Sequence, residues 1–199
     1  MRVLIVTYAF VLFYIVCVYV SAGKVKWQNY LLMLALGILA FLIGFRQGWP
    51  DQVVYQFAFE QAPLPWEMDW SKEPFGYTER GYFFLASLVK LILNNATFYF
   101  LCMGGLSMYL LYKGLTKYCA IPLIGLCDYI GRFLLNRDFT QMRSSLAILL
   151  IILAIKFIHE RKLVAYMLVI LLAYQFHHLA LLGIPLYFLY KIRLNINII

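Results

Sequence analysis

Residues 30–57 read YLLMLALGILAFLIGFRQGWPDQVVYQF. The first part, Tyr30 to Phe45, is an uncharged apolar run close to the roughly 17–25 residues that a bilayer-spanning helix needs. It ends abruptly at Arg46, Gly48, Pro50 and Asp51. Pro50 suits the first turn of a new helix, and Asp51 is favoured beside a helix N-terminus. Asp51, Tyr55 and Phe59 then fall at i, i+4 and i+8, on one face. The stretch therefore reads as a membrane span followed by a short helix that begins at the membrane surface. For Arg46 and Asp51 alone, the simplest reading is an ion pair that stitches the loop.

The rest of the chain agrees with that solvent. Of 199 residues, 64% are hydrophobic and 13% charged, with a mean hydropathy of +0.81. Soluble domains carry about 25% charged residues, so this is an integral membrane protein with a single membrane domain spanning 1–199. Val3–Val20 reads as an anchor, since no small-residue cleavage pattern follows it. Further candidate spans are Thr97–Tyr112, Ile121–Leu135, Leu146–Ile158 and Leu163–His178, and Leu179–Ile192 starts another. The net charge of +8 is spread between apolar runs, as in loops beside anionic lipid, and does not indicate nucleic-acid binding. Cys17, Cys102, Cys119 and Cys127 lie in or beside apolar runs without CxxC or Cys/His spacing, which reads as free buried thiols.

Residues 46–80 differ in charge. They hold six of the nine acids against three of the seventeen bases, a net −3, whereas the remainder carries fourteen bases and three acids, a net +11. Basic residues favour cytoplasmic loops. The acidic loop is therefore expected outside, and the loops at Lys24/Lys26 and Lys156/Arg161/Lys162 inside. An odd number of crossings must then separate 46–80 from 159–162, so one of the four apolar segments between them does not cross. Gly81–Leu93 is short and interrupted by Ser87 and Lys90; it reads as an interfacial or re-entrant helix. The fold class is thus all-α: a polytopic transmembrane helical bundle with one long extracytoplasmic loop, about 46–80, and a non-spanning helix, about 81–93.

This topology places Arg132, Arg137 and Arg143 at or near the outer surface, against the positive-inside tendency. Either the crossings are arranged differently, or a short loop happens to be basic, or outward arginines face an anionic ligand; guanidinium forks suit phosphate oxygens. TQMRSSLAILL, 140–150, opens a long apolar helix with Arg143 and small polar residues. FHHLALLGIP, 176–185, puts two histidines in an apolar helix running from Leu163 to Leu182. His177 lies about 14 residues, roughly 21 Å, along that helix, towards the outer leaflet, with His178 about 100° away around it. A hydrogen-bonded packing histidine and a functional intramembrane group are both open readings. Trp49, Trp66 and Trp70 fit an interfacial aromatic belt.

FRQGWPDQVVYQF at 45–57, ERGYFFLASL at 79–88, MRSSLAILLIILA at 142–154 and FHHLALLGIP at 176–185, in that order, resemble the EpsG family, multi-spanning bacterial proteins related to Wzy-type O-antigen and exopolysaccharide polymerases. The match runs over essentially the whole chain. It assigns motif positions to Arg46, Asp51, Tyr55, Glu79, Arg143 and His177. Ser144 stands where a Gln commonly follows the motif arginine, and Trp49 and Pro50 separate Gly48 from Asp51. Family members are usually longer, which implies that 1–199 is the N-terminal part of a longer polymerase-like fold.

The resemblance implies a membrane polymerase of O-antigen, lipopolysaccharide or exopolysaccharide biosynthesis. Such a glycosyltransferase moves undecaprenyl-pyrophosphate-linked oligosaccharide repeat units onto a growing lipid-linked chain, at the outer face of the bacterial inner membrane. His177 and Asp51 are the expected catalytic groups. Arg46, Arg143, Tyr55, Glu79 and Arg132 are the expected pyrophosphate- or sugar-binding groups. No local metal-ligand spacing occurs, so a metal-independent reaction without cofactor is expected. The implied partners are the lipid-linked oligosaccharides, membrane lipid, a chain-length regulator and a flippase, with no nucleic acid. The rival reading is a non-enzymatic transport or assembly subunit, or an inactive truncated polymerase.

Overall fold

A computed structural model describes residues 2–69 and 79–189. Trp70, the rest of the acidic loop to residue 78, and the last part of the final apolar run lie outside the described residues. Ten α-helices make up the described fold: α1 Arg2–Ser21, α2 Val25–Gly44, α3 Gln52–Gln61, α4 Arg80–Ile92, α5 Ala96–Tyr118, α6 Pro122–Tyr129, α7 Leu135–Arg137, α8 Met142–His159, α9 Leu163–Tyr174 and α10 Ile184–Leu189. A π-helical turn, Ile130–Leu134, joins α6 to α7, and a 3-10 helix, His178–Gly183, precedes α10. No strand occurs among the described residues, so the all-helical reading holds. Among the described residues, three helices are long and apolar enough to cross a membrane: Leu4–Ser21, Val25–Gly44 and Met142–His159. With 13 residues, α4 extends only about 20 Å, short of the ~30 Å hydrocarbon core, as expected for a helix that does not span.

The chain forms two compact units, Met1–Val53 with Thr97–Met142, and Val54–Ala96 with Arg143–Ile199. In the first, α1 is apolar all round and exposes Leu4, Ile5, Val6, Tyr8 and Leu12, while Cys17 is buried. That pattern suits a helix surrounded by lipid tails. Helices α2 and α5 approach backbone to backbone. A Cβ on Gly44 would lie 2.9 Å from the Leu101 Cα, and one on Gly104 would lie 2.9 Å from Ile43 Cγ2 and 3.1 Å from the Ala40 carbonyl oxygen. With Ala40 and Gly44 four apart on α2, this is the small-residue packing that membrane helices use in place of a hydrophobic drive.

Arg46 follows α2 and is buried. Its Nη1 donates to the carbonyl oxygens of Asp138, at 3.0 Å, and Phe139, at 2.8 Å, and the guanidinium lies 4.8 Å over the Phe100 ring. These carbonyls sit just past the C-terminus of α7, where unsatisfied acceptors and the helix dipole both favour a cation. The Asp138 carboxylate accepts from the Tyr129 hydroxyl, and Trp49 packs on Phe139 at 4.8 Å. The opening stretch thereby ties the end of α2 to the turn before α8.

The second unit holds α3, α4 and α8 to α10. Tyr55 and Phe59 are buried on α3, on the face the sequence spacing indicated, and the helix begins at Gln52, directly after Asp51. Lys90 on α4 donates to the carbonyls of Glu60 and Ala62, at 2.8 and 2.9 Å, and Ser87 donates to that of Pro63 at 2.5 Å. The two interruptions seen in the α4 sequence thus satisfy the frayed end of α3. Helices α8 and α9 pack through Ala154, Ile158, Tyr166 and Ile170, and the Tyr166 hydroxyl donates to the Gly183 carbonyl at 2.6 Å.

The expected continuous helix from Leu163 to Leu182 does not form. Helix α9 stops at Tyr174, His177 is extended (φ −158°, ψ 123°), and a 3-10 helix follows. The break frees the Gln175 carbonyl, which accepts from the Gly81 N–H at 2.9 Å. Apolar periodicity cannot reveal such a break, because the residues on both sides of it remain apolar. Irregular backbone at membrane depth persists where protein covers it or a polar cavity lines it.

Two glycine substitutions test these close approaches. Gly104→Ala is expected to lower the thermal midpoint of the detergent-purified protein, by the equivalent of about 1–3 kcal/mol, whereas neighbouring Gly105→Ala, which meets nothing within 4 Å, leaves it unchanged or raised. A Cβ at position 81 would lie 2.6 Å from Gln175 Cβ and 3.0 Å from its carbonyl oxygen. Gly81→Ala is therefore expected to displace the broken segment and speed modification of its histidines by diethyl pyrocarbonate; unchanged modification rates would show that the approach is not tight.

Candidate functional site

The break in α9 delivers two histidines to one carboxylate. Glu79 precedes the first residue of α4 but does not cap it. Its side chain, only 5% exposed, points instead into a cluster of ionisable groups. Oε2 accepts from Arg143 Nη1 at 2.6 Å. Oε1 faces His177 Nδ1 at 3.2 Å and His178 Nδ1 at 3.4 Å. The two imidazole rings lie 4.9 Å apart. The Arg143 guanidinium lies over the rings of Tyr55 and Tyr82, at 5.6 and 5.7 Å from their centroids, and these two rings are 5.8 Å apart.

Each position has a local cause. Arg143 occupies the first turn of α8, where the helix dipole disfavours a cation; the Glu79 carboxylate offsets this, and the tyrosine faces attract the guanidinium further. Glu79 is held at the start of α4 by the Gly81–Gln175 main-chain bond. Gln175 is two residues before His177, so one contact sets both sides of the cluster. An ionised carboxylate only accepts hydrogen bonds. With the proton of each imidazole on Nδ1 facing Oε1, each Nε2 is left as an acceptor. His178 is more exposed than His177, 57% against 22%, so the cluster has a buried end at Glu79 and an open edge at His178.

Four of the residues singled out in the sequence meet here: Tyr55, Glu79, Arg143 and His177. The other three lie in the other compact unit. Arg46 binds main-chain carbonyls, Asp51 is half-buried in the turn before α3, and Arg132 forms an exposed i,i+4 pair with Asp128 at 2.7 Å. Two members escaped the sequence reading. Tyr82 is the tyrosine of the ERGY stretch and had a visible signal. His178 had none, because on a continuous helix it would have faced away. The ligand atoms of Glu79, His177 and His178 all lie within 4.8 Å of one another, a set that no local spacing could reveal, since the glutamate and the histidines are about a hundred residues apart in the chain.

Comparison with known proteins agrees with the four motif stretches. The EpsG family model matches residues 29–199, a range that contains every member of the cluster. No curated protein and no solved structure matches the chain. Three of the motif segments supply the cluster's carboxylate, guanidinium and imidazoles, on an all-helical frame with membrane-length apolar helices. The chain belongs to the EpsG family, polysaccharide-polymerase-like membrane proteins.

Proposed function

We propose that this protein polymerises a bacterial surface polysaccharide at the outer face of the inner membrane, with the Glu79–Arg143–His177 cluster as its reaction centre. The donor is an oligosaccharide on undecaprenyl pyrophosphate, and the acceptor is a hydroxyl of another lipid-linked chain. The observation that carries this reading is a buried carboxylate that holds an arginine through one oxygen and faces a histidine through the other.

The chemistry follows from those atoms. The acceptor hydroxyl oxygen attacks the anomeric carbon of the donor and forms the new glycosidic bond. The bond from that carbon to the pyrophosphate oxygen breaks, and undecaprenyl pyrophosphate leaves with the electron pair. The acceptor's proton passes to His177 Nε2, the nitrogen left as acceptor when Nδ1–H faces Glu79; imidazole exchanges protons near neutral pH. Arg143 places positive charge where the pyrophosphate develops negative charge, and Tyr55 and Tyr82 hold its plane. Arg46, Asp51 and Arg132 have no part in this step.

The outer location is supported by the acidic loop that leads into Glu79. On a background without the native cysteines, Glu67→Cys and Asn136→Cys, both at exposed positions, should react with a membrane-impermeant maleimide in intact cells. Labelling only after permeabilisation would place the cluster on the wrong side.

The reaction is tested by polysaccharide ladders in cells lacking their native polymerase and complemented with this chain and any C-terminal continuation it has. Arg143→Lys should shorten the ladder, because an ammonium cannot reproduce the planar fork, and Arg143→Ala should abolish it. His177→Gln keeps a donor for Glu79 but cannot take a proton, so chain extension should fall roughly 10²-fold or more at normal abundance. Full ladders from both Arg143→Ala and His177→Gln would remove the enzymatic reading in favour of a non-catalytic subunit.

A further inference from the structure

We propose that Glu79, His177 and His178 form a three-ligand site for a transition-series divalent cation such as Zn2+. The distances fit. A tetrahedral ion with bonds of about 2.0–2.1 Å separates its ligand atoms by roughly 3.3–3.4 Å; Glu79 Oε1 stands 3.2 Å from His177 Nδ1 and 3.4 Å from His178 Nδ1. The donors fit as well. Two imidazoles with one carboxylate select Zn2+, Co2+ or Ni2+ over Mg2+ and Ca2+, which prefer oxygen ligands throughout. The remaining carboxylate oxygen is bound by Arg143, an outer partner that fixes the orientation of the ligating group. The exposed edge at His178 gives the ion a route in and leaves its fourth position open.

Cation binding changes what His177 can do. A metal on Nδ1 takes the lone pair there and leaves the ring proton on Nε2. His177 Nε2 then donates and no longer accepts. On the reaction proposed above, the occupied site cannot take the acceptor's proton, so the cation acts as an inhibitor of chain extension. That consequence rests on the base role of His177; the binding itself does not.

The full chain, purified in detergent, is titrated with Zn2+ alone by calorimetry and with Co2+ alone by visible absorption. The expected result is one ion per chain, with the intense d–d bands of four-coordinate Co2+. His178→Ala removes a ligand at the exposed edge, so the fold should survive, and its thermal midpoint checks this. Losing a direct ligand should weaken binding at least as much as losing an outer partner, roughly 10- to 100-fold, and His177→Gln should do the same. Absence of stoichiometric binding, or binding equally tight in both variants, would overturn the site. In the ladder assay Zn2+ should shorten wild-type polymer and spare His178→Ala. Stoichiometric binding without inhibition would uphold the site and contradict the base role of His177.

Discussion

A carboxylate that is 95% buried needs partners, and Glu79 finds them on both oxygens. Burying an ionised group without compensation costs several kcal/mol. Here Arg143 supplies the opposite charge, and the Nδ1 atoms of the two histidines face the other oxygen. Taking away the guanidinium would leave the carboxylate without its cation, a loss of about 3 kcal/mol or more. The start of α4, the first turn of α8 and the segment after α9 all converge on this residue. Positions that look strained in isolation, such as a cation in the first turn of α8 and a helix broken after Tyr174, are each compensated by contact with it or with the main-chain bond beside it.

Arg46 solves the same problem differently. It too is a buried guanidinium in an apolar chain, but it binds the carbonyl oxygens of Asp138 and Phe139. Those carbonyls lie in the turn that leads into α8. Two arginines in similar sequence settings thus have unlike surroundings. One closes a helix end; the other sits against a carboxylate, two imidazoles and two phenol rings. Charge-bearing residues in a membrane helix frame are informative only once their partners are known, because the low dielectric makes each partner decisive.

Much of the fold was legible because membrane helices announce themselves by length and lack of charge. Val25–Gly44 and Met142–His159 stand out in that way, and the thirteen-residue α4 was marked as short by Ser87 and Lys90. Glu79, Arg143 and His177 were legible as motif residues, since each is an ionisable group at the edge of an apolar segment. What could not be read was long-range pairing. Nothing near Lys90 in sequence shows that it binds the end of α3, and nothing near Arg46 shows its carbonyl partners. The break at Gln175–His177 is hidden in the same way: it is held by the Gly81 N–H, from a segment far away in the chain. A continuous helix would turn His178 away from His177, so the sequence alone does not place both histidines beside Glu79.

The proposed reaction requires Glu79 to hold the ring proton of His177 on Nδ1. This requirement is tested most directly by 15N spectra of detergent-purified, metal-free protein labelled at histidine, with His177→Gln used to assign the signal. A neutral imidazole protonated at Nδ1 in the wild type, moving towards the ordinary Nε2–H mixture in Glu79→Gln, is expected. An Nε2–H tautomer in the wild type, or a signal indifferent to Glu79→Gln, would contradict it.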